Sequence, residues 1–145
     1  MAESKDLVAY CGLYCGDCPG YKGEIADLAQ DLRKKLKQEK FDRAAEWLSE
    51  VVKPFKKYQD FDEVLGAMVT LRCRTQCRQE SATTYCEVRK CCQKKNFAGC
   101  WECEEIETCQ KFDFLKPVHD DAPLKNLRKI KRQGIDKFIA GKRYW

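Results

Sequence analysis

Cysteine is the residue type in this chain whose number and spacing could carry chemistry. The 145 residues include eleven cysteines, eight of them between residues 73 and 109 and three in the segment C-G-L-Y-C-G-D-C-P that begins at residue 11. Thiolates are soft ligands for zinc and for iron–sulfur clusters, and thiols also pair as disulfides in small secreted scaffolds. The composition therefore predicts either a metal-binding domain or a disulfide-linked one.

The N-terminal sequence bears on that choice because it bears on the compartment. The first ten residues, M-A-E-S-K-D-L-V-A-Y, are charged and lack the apolar core of a secretory signal. No apolar run in the sequence approaches the length of a membrane-spanning helix. We therefore expect a cytoplasmic protein with no membrane partner, in which thiols stay reduced and clustered cysteines are more often metal ligands. The odd number of cysteines also fits complete disulfide pairing poorly.

The spacing of the cysteines favours zinc. Zinc takes four ligands in a tetrahedron, usually delivered as two close pairs from two segments of chain. Four close pairs occur: Cys15–Cys18 and Cys100–Cys103 with two intervening residues, Cys73–Cys77 with three, and Cys86–Cys91 with four. This pattern predicts two or more zinc ions, and an iron–sulfur protein in redox chemistry is the alternative.

The order of the cysteine motifs also resembles a known family. After the first segment come a cysteine pair, Y-C-E-V-R-K-C, A-G-C-W-E-C and a lone cysteine, and the chain ends with N-L-R-K-I-K-R-Q-G-I-D-K-F. This order is similar to the small prokaryotic family DUF3795, whose members are presumed to bind zinc and have no established activity. The resemblance implies ten metal-ligand candidates: Cys11, Cys15, Cys18, Cys73, Cys77, Cys86, Cys91, Cys100, Cys103 and Cys109. Cys92 is left over, and because it adjoins Cys91 on a helix we expect it to point elsewhere as a small buried hydrophobe.

Two enzyme classes fit the sequence less well than a binding module. Cys11, Cys15 and Cys18 have the C-x-x-x-C-x-x-C spacing of radical S-adenosylmethionine enzymes, but Asp17 stands where those enzymes have an aromatic residue. Catalysis by a thiol nucleophile needs a nearby base, and the single histidine, His119, lies in a predicted loop. We therefore predict a zinc-structured binding or adaptor module of unknown biochemical role, leaning away from an enzyme.

Helical periodicity predicts the elements that position the cysteines. We expect a single domain over residues 1–145, mainly α: a small metal-stabilised, cysteine-rich domain with a helical insert. It would comprise a turn-rich knuckle (10–21), the insert (22–71), the cysteine cluster (73–109) and a C-terminal helix (122–141) that Gly134 interrupts. Helices are predicted over 22–38, 42–53, 61–71, 86–95 and 103–115.

Within the insert, apolar stripes that include Ile25, Leu28 and Leu32 are expected to form the hydrophobic core. Asp60 and Glu63 are expected to cap the helix over 61–71 as a capping box.

Positive charge is concentrated at the C-terminus. The formal net charge of the chain is +5, but residues 125–145 alone carry eight basic residues and one acidic residue. With Leu127, Ile130 and Phe138 facing the core, the outward face would present Lys125, Arg128, Lys129 and Arg132. This face predicts an acidic partner, either a protein or weakly bound nucleic acid, and the alternative is a solvated helix face.

Overall fold

The computed structural model describes residues 4–79 and 85–145, and this part of the chain is mainly α-helical, as predicted. Its α-helices are α1 (Pro19–Lys22), α2 (Glu24–Gln38), α3 (Phe41–Leu48), α4 (Tyr58–Val69), α5 (Glu87–Lys95), α6 (Lys116–His119), α7 (Ala122–Gln133) and α8 (Ile135–Ala140). Six short 3-10 helices lie between them: Lys5–Leu7, Cys15–Asp17, Lys53–Lys57, Cys100–Glu102, Ile106–Thr108 and Gln110–Leu115. No helix among the described residues is long and apolar enough to span a bilayer.

The chain divides into two compact units. The cysteine unit comprises Met1–Cys18 and Arg74–Trp145, and the insert unit comprises Pro19–Cys73. The bounds of the insert unit follow the predicted helical insert closely. That the whole chain acts as one domain stays a prediction.

The insert unit is built on the pairing of α2 with α4. Ala26 and Ala29 are almost fully buried on α2, and Leu65 is buried on α4. These alanines have short side chains, so the two helices can approach closely. At the end of the unit the backbone N–H of Cys73 donates to the carbonyl of Gly20 at 2.9 Å.

The predicted apolar stripe of α2 is not its buried face. Ile25, Leu28 and Leu32 are 43%, 70% and 44% exposed, so the prediction that they form the core was wrong. On α4, Phe61 and Val64 are also exposed. The apolar spacing gave the helical period correctly, but the face that packs is the one with small residues.

Two boundaries in the insert unit also differ from prediction. The helix predicted over 42–53 ends at Leu48, and the chain then enters the 3-10 helix Lys53–Lys57, which has Pro54 at its start. That 3-10 helix runs directly into α4, which begins at Tyr58 with Lys57 as its N-cap residue. Asp60 therefore lies within the first turn, and the predicted capping box was wrong.

The cysteine unit has a core that includes two of its own cysteines. The core cluster consists of Val88, Cys92, Cys100, Ile106, Phe112 and Leu127. Helix α5 matches the predicted helix over 86–95. The helix predicted over 103–115 was wrong, because two 3-10 helices occupy that stretch and Cys109 between them is extended.

The C-terminal helix is present and is interrupted where the sequence predicts. Gly134 adopts φ +84°, a left-handed value that favours glycine, and it separates α7 from α8. Leu127, Ile130 and Phe138 are buried, as expected. This helix pair thus supplies one wall of the core of the cysteine unit.

Candidate metal centre

A tight hairpin places Cys11 at its tip. An isolated antiparallel bridge joins Val8 to Tyr14, and the N–H of Ala9 donates to the carbonyl of Leu13 at 2.8 Å. The turn needs Gly12, which has φ +86° and whose position leaves no room for a Cβ, since that atom would lie 2.9 Å from Cγ of Leu127. The first cysteine segment is thereby packed directly on α7.

Both C-x-x-C pairs fold in the same way. Cys15 and Cys100 each begin a 3-10 helix, and the N–H of the second cysteine donates to the carbonyl of the first at 3.0 Å in both pairs. Side chains three residues apart are nearly eclipsed in a 3-10 helix. Each C-x-x-C pair is therefore held in a turn that can present both sulfurs on one side.

Five cysteines line one small cavity in the cysteine unit. This thiol cavity has a volume of about 30 Å³ and is bounded by Cys91, Cys92, Cys100, Cys103 and Cys109 together with Val88, Phe97, Ile106, Phe112, Lys95 and Lys111. A single water needs roughly 10–15 Å³, so the thiol cavity has room for one ion.

The closest sulfur pair in the thiol cavity joins Cys92 and Cys100, whose Sγ atoms lie 3.3 Å apart. The contact with Cys92 and burial both raise the pKa of Cys100. The same contact lowers the pKa of Cys92, and burial opposes that shift. At the rim, Lys95 pairs with Glu105 at 3.2 Å, and that contact followed by the charge of Cys103 raises the pKa of Lys95.

A second group of thiols contains Cys11, Cys77 and Cys86. Residue Cys11 is half-buried as a whole, but its thiol is enclosed, and this desolvation raises its pKa to about 12. The charges of Cys77 and Cys86 add to that shift. Burial also raises the pKa of Cys77, while the nearby Arg89 opposes the shift. Three predicted ligands from three segments of sequence are thus close enough to interact.

Arg78 connects the segments that carry these two groups. Its guanidinium donates to the carbonyls of Val8 at 2.6 Å and Ala98 at 2.7 Å. The same group lies over the rings of Tyr10, at 4.5 Å, and Trp101, at 5.5 Å. Arg78 directly follows Cys77 in the sequence. Its contacts therefore fix Cys77 relative to the hairpin of Cys11 and the turn of Cys100. Sequence analysis missed this role, although its position next to a cysteine was a usable signal.

The last five residues form a strap, residues 141–145, that returns to the knuckle. The Arg143 guanidinium binds both carboxylate oxygens of Asp17, at 2.7 and 3.0 Å, and lies 4.3 Å from the ring centre of Tyr14. The buried Asn126 amide donates to the carbonyl of Tyr144 at 2.8 Å and accepts from its N–H at 2.9 Å. The strap thus holds the turn between Cys15 and Cys18.

The predicted partner-binding residues already have contacts within the cysteine unit. Arg128 binds Glu107 through two nitrogens, and Lys125 pairs with Asp121 at 2.8 Å. The ammonium of Lys129 donates to a backbone carbonyl of the strap. Arg132, by contrast, is exposed.

Two other residues considered in the sequence analysis, Cys73 and His119, lie outside the two groups of thiols. Cys73 ends the insert unit. His119 lies edge-on to Trp145, with ring centres 4.7 Å apart, and burial lowers its pKa.

The described residues do not form a finished coordination sphere. Across residues 4–79 and 85–145, no three side chains from His, Cys, Asp and Glu converge closely enough to hold an ion. The donor chemistry nevertheless fits a thiolate-bound metal, because five cysteines and two lysines line one small cavity.

Comparison with known proteins supports the resemblance seen in the motifs. No curated protein and no solved structure matches the sequence. A family model described as "protein of unknown function (DUF3795)" matches residues 7–114, which include all eleven cysteines. The chain therefore belongs to the DUF3795 family.

Proposed function

We propose that this protein binds two or more zinc ions through cysteine thiolates and acts as a metal-structured binding or adaptor module. The observation that carries the proposal is the thiol cavity, where five cysteines surround a space of about 30 Å³. Zinc bound by thiolates would offset part of their charge and contribute folding free energy, on the order of 10 kcal/mol per ion. The protein's own contribution is to hold the cysteines against the apolar side chains of Val88, Phe97, Ile106 and Phe112.

The insert unit supports the binding role. Leu28, Trp47, Val51 and Val64 are 70%, 68%, 66% and 60% exposed. Large apolar side chains of this kind, where they adjoin one another, are typical of surfaces that contact other molecules. The cysteine unit would then be the metal-stabilised part, and the insert unit would offer the contact surface.

Metal analysis of the full chain tests the zinc proposal. We expect protein purified without oxygen to be colourless and to contain at least two equivalents of zinc and no acid-labile sulfide. A brown sample containing iron and sulfide would show the iron–sulfur alternative to be correct. Metal-free protein with eleven titratable thiols that takes up neither added zinc nor, with iron and sulfide, a cluster would refute both.

Chelation tests what the metal does. Removing zinc should unfold the cysteine unit, because its short 3-10 turns supply few hydrogen bonds of their own. The insert unit contains the long helices α2 and α4 and should keep much of its far-UV signal. Unchanged near-UV and far-UV spectra after complete removal would contradict a structural role for the metal.

A further inference from the structure

Cys92 is buried in the core, as predicted, and its sulfur also contacts a second thiol. It is 2% exposed, and its sulfur lies 3.3 Å from that of Cys100 inside the thiol cavity. In a tetrahedral zinc site with Zn–S bonds of about 2.3 Å, neighbouring sulfurs are about 3.8 Å apart. The two sulfurs therefore need to separate by only about half an ångström to share an ion.

Cys91 differs from Cys92 in what its side chain faces. Besides the thiol cavity, Cys91 lines an open surface depression with Tyr85, Glu87 and the lysines 90, 94, 95 and 111. Cys92 lines the thiol cavity without lining that depression. Consecutive residues on α5 point about 100° apart around the helix axis. Cys92 therefore turns inward, and Cys91 reaches the solvent side.

We infer that Cys92, rather than Cys91, is the α5 ligand of a four-thiolate zinc site completed by Cys100, Cys103 and Cys109. This assignment rests on the proposed zinc function and specifies one of its sites. The 3-10 turn that begins at Cys100 supplies two of the ligands, Cys100 and Cys103. The last ligand, Cys109, is the extended residue between the next two 3-10 helices. The ten-cysteine set from the family resemblance thus changes at one position.

Lys95 and Lys111 make this site electrostatically consistent. Four thiolates around Zn²⁺ leave a charge of −2, which is costly inside an apolar wall. Both lysines line the thiol cavity. The charge of Lys95 is shared with Glu105, so Lys111 and part of the charge of Lys95 offset that excess. Val88, Phe97, Ile106 and Phe112 form the apolar part of the wall.

Matched alanine variants of the full chain test the assignment. Zinc content per chain, measured after gel filtration, should fall by one equivalent in Cys92→Ala and in Cys103→Ala, and should equal the wild-type value in Cys91→Ala. Alanine keeps the Cys92 site small and apolar, so a residue with only a packing role would leave the zinc content unchanged. Wild-type zinc content in Cys92→Ala, or a loss confined to Cys91→Ala, would overturn the assignment.

A measurement on the wild-type chain avoids any failure of a variant to fold. After loading with ¹¹³Cd²⁺, scalar couplings from cadmium to cysteine Hβ protons identify each ligand directly. A cadmium signal coupled to Cys92 and Cys100 supports the assignment, and one coupled to Cys91 and Cys100 refutes it while leaving the metal-binding proposal intact. Absence of any bound cadmium or zinc in the wild type would instead refute the proposed function.

Discussion

The ion pair between Arg143 and Asp17 should be a main stabilising contact of the cysteine unit. The side chains are 17% and 28% exposed, and the guanidinium meets both carboxylate oxygens. Hydrogen bonds to charged groups contribute about 1.5–3 kcal/mol, and a partly exposed cation–π contact adds about 0.5–1 kcal/mol. Allowing for the solvent that still reaches Asp17, we expect Arg143→Ala to lower the free energy of unfolding by about 2–3 kcal/mol.

The chain offers a matched control for that substitution. Lys5 pairs with Asp136 at 2.8 Å, but these side chains are 60% and 75% exposed. Exposed pairs contribute roughly 0–1 kcal/mol, so Lys5→Ala should have little effect although it removes the same charge. Arg143→Lys should be intermediate, because an ammonium keeps the charge but cannot bind both oxygens in the same plane.

Urea unfolding monitored by tryptophan fluorescence measures these differences. Trp101 and Trp145 belong to the cysteine unit and Trp47 to the insert unit. In a Trp47→Phe background, fluorescence therefore reports the cysteine unit alone. If Arg143→Ala and Lys5→Ala agree within about 0.5 kcal/mol, burial does not strengthen the Arg143 pair and the stabilising role of the strap is refuted.

Three further substitutions test neighbouring features in the same assay. Arg78→Met removes two hydrogen bonds to carbonyls and should cost about 2 kcal/mol; a loss below about 0.5 kcal/mol would contradict its connecting role. Gly12→Ala should cost more than Gly134→Ala, because both have positive φ but only the first would place a Cβ against Leu127; equal losses would refute the close approach. Burial lowers the pKa of His119 from 6.5. The contribution of its neutral imidazole to the free energy of unfolding is therefore present above that pH and is lost as the pH falls. His119→Gln should remove this part of the pH dependence of stability. If the free energy of unfolding depends on pH in the same way in this variant and in the wild type, the lowered pKa of His119 is refuted.

The sequence predicted the local helices well because their signals are local. Helices α2 and α7 follow from apolar residues at helical spacing, which need no knowledge of distant contacts. The interruption of the C-terminal helix at Gly134 was predictable for the same reason. The turn-rich knuckle was also predictable, because its glycines and proline favour the tight backbone found at Gly12 and in the 3-10 helix Cys15–Asp17.

The predicted helix over 103–115 failed because tertiary packing overrides its local preference. Ile106 and Phe112 both enter the core around Cys92 and Cys100. Residues six apart on an α-helix lie about 120° apart around its axis, so one straight helix would not turn both inward. Two 3-10 helices joined at the extended Cys109 bring both side chains to the core.

The exposed stripe of α2 shows a different limit of sequence reasoning. The spacing of apolar residues gives the period of a helix. Which side of the helix is buried depends on how closely a neighbouring helix approaches. Ala26 and Ala29 allow a close approach of α4, and the larger Ile25 and Leu28 then lie to one side. Hydrophobicity ranks the larger residues higher, so the pattern alone favours the wrong face.

The basic C-terminus illustrates why charge counted along a sequence overstates the charge available to a partner. Arg128, Lys125 and Arg143 are each matched by an acidic side chain of the cysteine unit that lies outside residues 125–145. A nucleic acid would have to displace those carboxylates before gaining the attraction, which weakens binding and its salt dependence. We therefore expect nucleic acid to bind the C-terminal helix more weakly than the charge count of residues 125–145 indicates.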